Sequence, residues 1–124
     1  MRHLESKLQQ ACVRWARYQY PACRKLLFSV PNGVHTSATQ AQIAYAEGMV
    51  AGVSDLILLH PSADKKYHAL CIEMKTAKGR QSDYQKAWQR AVEGTGEYRY
   101  EIVRSFEDFK TLINNYLTAT MLNF

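Results

Sequence analysis

Val53-Ser54-Asp55-Leu56-Ile57-Leu58-Leu59, His60-Pro61-Ser62-Ala63-Asp64-Lys65-Lys66 and Tyr67-His68-Ala69-Leu70-Cys71-Ile72-Glu73-Met74-Lys75 follow one another without a break. The first segment is rich in β-branched and aliphatic residues and predicts a buried strand. The second is a polar turn, and the third predicts the partner strand of a hairpin. Along that partner strand Leu70, Ile72 and Met74 point to one face, while Cys71, Glu73 and Lys75 point to the other. A carboxylate and an ammonium therefore stand side by side at the end of a buried strand. Buried charges are costly unless they are paired or bind something. Asp55 lies early in the neighbouring strand, just behind Gly52. An antiparallel hairpin turning near Ser62 to Lys65 sets the start of that strand opposite the end of its partner. Asp55 and Glu73, 18 positions apart in sequence, are thereby brought together.

Two converging carboxylates suit a hard cation that takes oxygen ligands and retains waters, which describes Mg2+, with Mn2+ as a substitute. Phosphodiester hydrolysis needs a nucleophilic water, a counter-charge for the pentacovalent phosphorus and help for the leaving oxygen. Such a cation supplies the first two. Lys75, on the same face as Glu73, is placed to orient or activate the water and to contact the phosphate. The plainer alternative for the same residues is a Glu73–Lys75 ion pair at a strand edge, with Asp55 capping a turn after Ser54. Zinc is not expected. Cys12, Cys23 and Cys71 lack the close pairing that zinc sites favour and read as buried free thiols, and His3, His35, His60 and His68 have no spacing that joins two of them.

Outward from the hairpin, Leu4, Leu8, Ala11, Trp15 and Tyr18 form one helical stripe, so an amphipathic helix is expected from Leu4 to about Tyr18, closed off before Pro21. Arg14, Arg17, Arg24 and Lys25 lie near its end. Leu26 to Val30 predicts a short strand stopped by Pro31-Asn32-Gly33. Thr39 to Glu47 has the composition of a short helix, after which Gly48 and Gly52 permit a tight approach to the next strand. Ser82 with Gln85 three residues on forms a capping box, opening a helix to about Glu93 with Tyr84, Trp88, Ala91 and Val92 inward and Gly94 as its stop. Tyr98 to Val103 predicts a fourth strand. Ser105 caps a last helix with Phe106, Phe109, Ile113, Tyr116 and Leu117 on one face. The expected fold is α/β: one mixed sheet flanked by helices in a single domain spanning residues 1–124.

The chain has 124 residues, 47% of them hydrophobic and 22% charged, which fits one globular domain. No apolar run approaches the roughly 20 residues of a membrane helix. The start of the chain turns polar too soon for a signal-peptide core, so a cytoplasmic location is expected. A formal net charge of +5 favours a polyanionic partner, with nucleic acid the commonest.

Asp55 followed by Glu73-Met74-Lys75 resembles the D…(D/E)xK signature of the PD-(D/E)xK nuclease superfamily, with Ser54 where proline often stands. More narrowly, Gly48 to Leu56, Ile72 to Lys75 and Gly79 to Trp88 resemble the VRR-NUC branch, over roughly residues 2–104. The resemblance implies the restriction-endonuclease-like α-β-β-β-α-β core. It also implies Asp55 and Glu73 as metal ligands, joined by the backbone carbonyl of Met74, and Lys75 as the catalytic lysine. Gln85 would lie close to the metal site, though the capping box explains it equally well. Glu5 would match an acidic residue of the first helix, an outer-shell or second-metal ligand, and its alternative is a solvated glutamate. Small members of the branch resemble dimeric enzymes that resolve four-way (Holliday) DNA junctions, whereas larger relatives act on flaps.

Lys65, Lys66, Lys78, Arg80, Lys86 and Arg90 are candidates for tracking DNA phosphates, contacts that position DNA without reading its sequence. The C-terminal helix, residues 105–124, has apolar residues to spare and is expected to contribute to a homodimer, since a two-fold enzyme suits paired cuts. The expected function is a structure-selective endonuclease acting on branched DNA. The alternatives are a flap or nicking nuclease and a catalytically silent DNA-binding module.

Overall fold

The computed structural model of the protein describes residues 2–31 and 37–118. Its elements are α1 (Arg2–Gln19), β1 (Leu27–Ser29), α2 (Ala38–Ala46), β2 (Leu56–Leu58), β3 (Ala69–Met74), α3 (Asp83–Gly94), β4 (Tyr98–Val103) and α4 (Phe106–Leu117). A single 3-10 turn, Pro21–Cys23, joins α1 to β1 and was not foreseen. The strands form one sheet in the order β1-β2-β3-β4. β1, β2 and β3 pair antiparallel, and β3 pairs with β4 in parallel. The mixed sheet and the hairpin both match the sequence reading. Residues 32 and 33 of the expected turn, and residues 119–124 of the expected last helix, lie outside the described residues.

β3 is buried at every position, because helices cover both of its faces. On one face Leu56, Leu58, Leu70, Ile72, Met74 and Val103 pack with Cys12 and Ala16 of α1 and with Phe109, Ile113 and Tyr116 of α4. Trp15 sits edge-on to Tyr20, Phe106 and Phe109 with ring centroids 6.0, 6.4 and 6.1 Å away, so α1 is locked to α4 by aromatic contacts. On the other face Cys71 and Tyr100 meet Val92 and Trp88 of α3. The alternation read from the sequence thus holds: Glu73 shares its face with Cys71, beneath α3.

Three expectations are corrected. The stripe of α1 is rotated: Cys12 and Ala16 are buried, whereas Leu4 and Tyr18 are exposed. Small side chains face the sheet because they let the helix backbone approach it closely, and hydrophobicity alone does not reveal that preference. In α3, Tyr84 is 69% exposed and Ala91 is exposed as well, while Gln85 turns inward beside Trp88 and Val92. Gly94 does not stop α3 but is its last residue, and the left-handed turn after the helix falls on Gly96, at φ +73°.

The hairpin turn is held by its own side chains. Ser62 Oγ donates to Asp64 Oδ1 at 2.7 Å and accepts from the Tyr67 N–H at 3.0 Å, while the Lys66 N–H donates to Asp64 Oδ1 at 3.0 Å. These donors hold the Asp64 carboxyl below the usual carboxylate range. The Tyr116 hydroxyl donates to the His60 carbonyl at 2.7 Å, tying α4 to the start of the turn. The described part of α4 directs Phe109, Leu112, Ile113 and Tyr116 into the core. Exposed apolar side chains are found instead at Ile43, Tyr45 and Val50, in and after α2.

Candidate active site

The register of the hairpin decides where the acids meet. Leu56 pairs with Ile72, so the next positions outward, Asp55 and Glu73, face each other across the ladder. Asp55 Oδ2 accepts a hydrogen bond from the Met74 N–H at 2.7 Å, which fixes its carboxylate against the end of β3. The Met74 carbonyl, the expected third ligand, belongs to the following peptide unit, which is held by the Lys75 N–H donating to the Val103 carbonyl at 2.9 Å. Ser54, where proline was anticipated, is fully buried and donates to the Leu56 carbonyl at 3.2 Å. Its side chain thus braces the turn into β2 by a hydrogen bond.

Glu73 is 2% exposed. One carboxylate oxygen, Oε2, accepts from Gln85 Nε2 at 2.9 Å and lies 3.8 Å from Lys75 Nζ. The other, Oε1, is buried with no hydrogen-bond partner. Burial pushes the carboxyl up to about 8, reinforced by the negative charge of the neighbouring Asp55, against the pull of Lys75. Glu5 of α1, half-buried, adds a smaller repulsion. An orphaned buried acceptor beside a second carboxylate is expensive in water-free surroundings and cheap once a cation lies between them. The residues therefore fit a divalent cation. Among the described residues no group of three His, Cys, Asp or Glu side chains converges, so a cation here would have Asp55, Glu73 and backbone or water oxygens. That donor set suits magnesium or manganese.

Gln85 combines two roles. Its Oε1 accepts from the Ser82 N–H at 2.8 Å, closing the capping box, while its Nε2 donates to Glu73. The cap and the site share one side chain, with the amide oxygen serving the first and the amide nitrogen the second. Ser82 Oγ in turn accepts from the Gln85 N–H at 3.2 Å. Ser82→Ala is expected to lower stability by about 1 kcal/mol in a denaturant melt.

Gly52, at φ +87°, explains how α3 comes so close. A Cβ there would lie 2.4 Å from the Tyr84 carbonyl carbon and oxygen and 2.7 Å from the Gln85 nitrogen. The loop before β2 and the first turn of α3 touch backbone to backbone, which glycine alone allows. Tyr100, buried under α3, completes the floor: its hydroxyl accepts from Gln81 Nε2 at 3.1 Å, and burial pushes it up to about 12.

Arg104 was not anticipated. Its Nη1 donates to the carbonyls of Thr76, Ala77 and Gly79 at 2.8, 3.4 and 2.7 Å, pinning the loop that leaves Lys75. Only the parallel pairing of Met74 with Val103 sets Arg104 beside that loop, and no spacing in the sequence announces it. Arg104→Met is expected to loosen the loop from Thr76 to Gly79, read as faster amide hydrogen exchange across those residues.

The basic candidates separate into two groups. Lys78 and Arg80 lie exposed on the loop between β3 and α3, and Lys86 and Arg90 are exposed on α3. Lys65 and Lys66 sit in the hairpin turn, at the other end of the hairpin. From Lys66 to Glu73 a strand rise of about 3.3 Å per residue gives roughly 23 Å. The structure thus does not bring those two lysines to the carboxylates. Lys65 also occupies a left-handed backbone position at φ 67°, so it shapes the turn.

The sequence profile of the VRR-NUC domain matches residues 1–107. The chain belongs to the VRR-NUC family. A solved structure described as a VRR_NUC domain protein is similar to it with a TM-score of 0.76 at 21% identity, over 90% of this chain and 86% of that one. At that identity the likeness shows the fold. No curated protein matches the chain. Family membership implies a nuclease-type function and an interaction with DNA. Among the described residues no helix is long and apolar enough to cross a membrane.

Proposed function

We propose that this VRR-NUC protein is a divalent-metal-dependent, structure-selective DNA endonuclease, acting on branched DNA and first of all on four-way junctions. The observation that carries the reading is the buried Glu73 carboxylate, with Oε1 unpartnered, beside Asp55 and 3.8 Å from Lys75. Two acids and one base gathered at a strand end serve no binding module, because carboxylates repel the phosphates such a module must hold.

Asp55 and Glu73 would hold Mg2+ or Mn2+, with the Met74 carbonyl beside them. When bound, the cation lowers the pKa of a water and neutralises a non-bridging phosphate oxygen. Lys75 directs its ammonium toward the same space and stabilises charge that builds on the phosphate. Gln85 holds Glu73 in one orientation, so the acid needs no rearrangement during the reaction. Lys78 and Arg80, exposed on the loop after β3, and Lys86 and Arg90, exposed on α3, would set the DNA backbone over the carboxylates without reading bases. Lys65 and Lys66 would touch a more distant arm. A homodimer would place two such sites for symmetric cuts.

The test is a panel of end-labelled four-way junction, flap, nicked and blunt duplex DNA, incubated with the protein in magnesium, together with its molar mass from light scattering. The junction reading expects paired symmetric cuts by a dimer. Cuts confined to flaps or nicks by a monomer would replace it with the flap nuclease. Binding without cleavage of any substrate would replace it with a DNA-binding module.

A further inference from the structure

Beyond the acidic cleft, a groove of about 990 Å3 runs between α1 and the edge strand β1. One end approaches the carboxylates: Glu5 lines it, and Glu5 lies near enough to Glu73 to repel its charge. The other end lies near the close of α1 and the start of β1, where Arg17, Tyr18 and Arg24 line it. From Glu5 to Tyr18 the helix rise of about 1.5 Å per residue makes the groove roughly 20 Å long.

Its lining has two chemistries. Arg14, Arg17 and Arg24 supply positive charge, and among the described residues no carboxylate lies within ion-pair distance of any of them. Arg17 and Arg24 are steadied by donating to the Leu27 and Arg17 carbonyls at 3.4 and 3.3 Å, which neutralises neither charge. Two exposed aromatic rings stand among them: Tyr18, 81% exposed, and Phe28, 38% exposed. Exposed rings among arginines that lack carboxylate partners form a surface suited to a flat, anionic ligand. Unstacked bases can lie on the rings while the guanidinium groups hold the phosphates. A paired duplex has its bases stacked on each other and offers nothing to such rings.

We propose that this groove binds one unpaired DNA strand as it leaves the branch point and leads it to the Asp55–Glu73 cleft, an inference that rests on the proposed nuclease function. In a junction that strand is the one crossing between arms, and in a flap it is the flap itself. Arg14, Arg17 and Arg24 contact up to three phosphates, and Tyr18 and Phe28 stack bases.

The test uses the full chain in EDTA, so that binding is read without cleavage. The probes are a fluorescent single-stranded oligothymidylate, a splayed-arm duplex and a blunt duplex. Phe28→Ala is expected to weaken the first two by about 5- to 20-fold and to leave the blunt duplex unchanged. Arg14→Gln is expected to weaken the same two probes and lower the salt slope on single strands by about 0.7, with Arg14→Lys restoring both. Arg14 is exposed, so this variant leaves the core intact. A second readout is photo-crosslinking of an iododeoxyuridine-bearing strand, expected to map to Tyr18 or Phe28. Equal losses on all three probes, unchanged affinity in both variants, or crosslinks confined to α3 would overturn the groove assignment. If wild type cleaves branched DNA with magnesium while these variants bind like wild type, the groove fails and the nuclease stands. If wild type binds through the groove yet cleaves nothing, the nuclease reading fails and the groove stands.

Discussion

Glu73→Gln is expected to make the metal-free protein more stable at pH 8 while removing its cleavage activity. The acid is 2% exposed, one of its oxygens has no partner, and its carboxyl is raised from 4.5 to about 8 by burial and by Asp55. A carboxyl raised on folding keeps its proton in the folded chain after the unfolded chain has lost it. Stability from this group is therefore fully present below about pH 4.5, falls as pH climbs toward 8 and levels off above. Glutamine stays neutral throughout and can still accept the Gln85 hydrogen bond through its amide oxygen. The variant should match wild type near pH 4 and exceed it at pH 8 by a few kcal/mol, a rise in Tm on the order of 5–10 °C. Calorimetry in EDTA across that range checks it, and adding magnesium should raise the Tm of wild type alone. Cleavage should fall by more than the roughly 10- to 100-fold that loss of an outer-shell partner brings. A Glu73→Gln protein that is less stable at every pH would show that the carboxylate is a structural ion pair with Lys75.

Gly52→Ala is expected to be the most damaging single-methyl substitution in the loop before β2. The new Cβ would meet the Tyr84 carbonyl carbon and oxygen at 2.4 Å, from a backbone at φ +87°. Backbone atoms of a helix cannot swing aside as a side chain does, so the first turn of α3 must shift and carry Gln85 from Glu73. Clash and strain together should lower stability by roughly 2–4 kcal/mol, read in a denaturant melt, with kcat falling more than about tenfold. Gly48 is the control, since it also has positive φ, at +112°, but a Cβ there meets nothing within 4 Å. Gly48→Ala should cost only about 1–2 kcal/mol of strain and leave kcat intact. Equal effects at both glycines would show that the close approach of α3 does not position the site.

The hairpin was legible because period-two alternation, a polar turn and a flanking glycine all pointed one way, and its register then placed Asp55 against Glu73. From its own spacing Gln85 was legible as a cap, and only the family resemblance set it near the metal site, since its second hydrogen bond depends on how α3 lies over β3. The face of α1 was misread because Cys12 and Ala16 are too small to dominate a hydrophobic stripe, although their size is what suits them to the sheet. Arg104 and the arginine-lined groove depend on strand order and on the edge position of β1, which are tertiary facts with no local signal. The odd placement of Lys65 and Lys66 has the same root: nearness in sequence to β3 says nothing about which end of the hairpin faces DNA.

The central claim is that Asp55 and Glu73 together make a metal-dependent nuclease. Its most direct test is cleavage of an end-labelled four-way junction in magnesium, run beside EDTA and beside Asp55→Ala. The account predicts cuts with magnesium that vanish in both controls. Cleavage that persists in EDTA or in Asp55→Ala would contradict it.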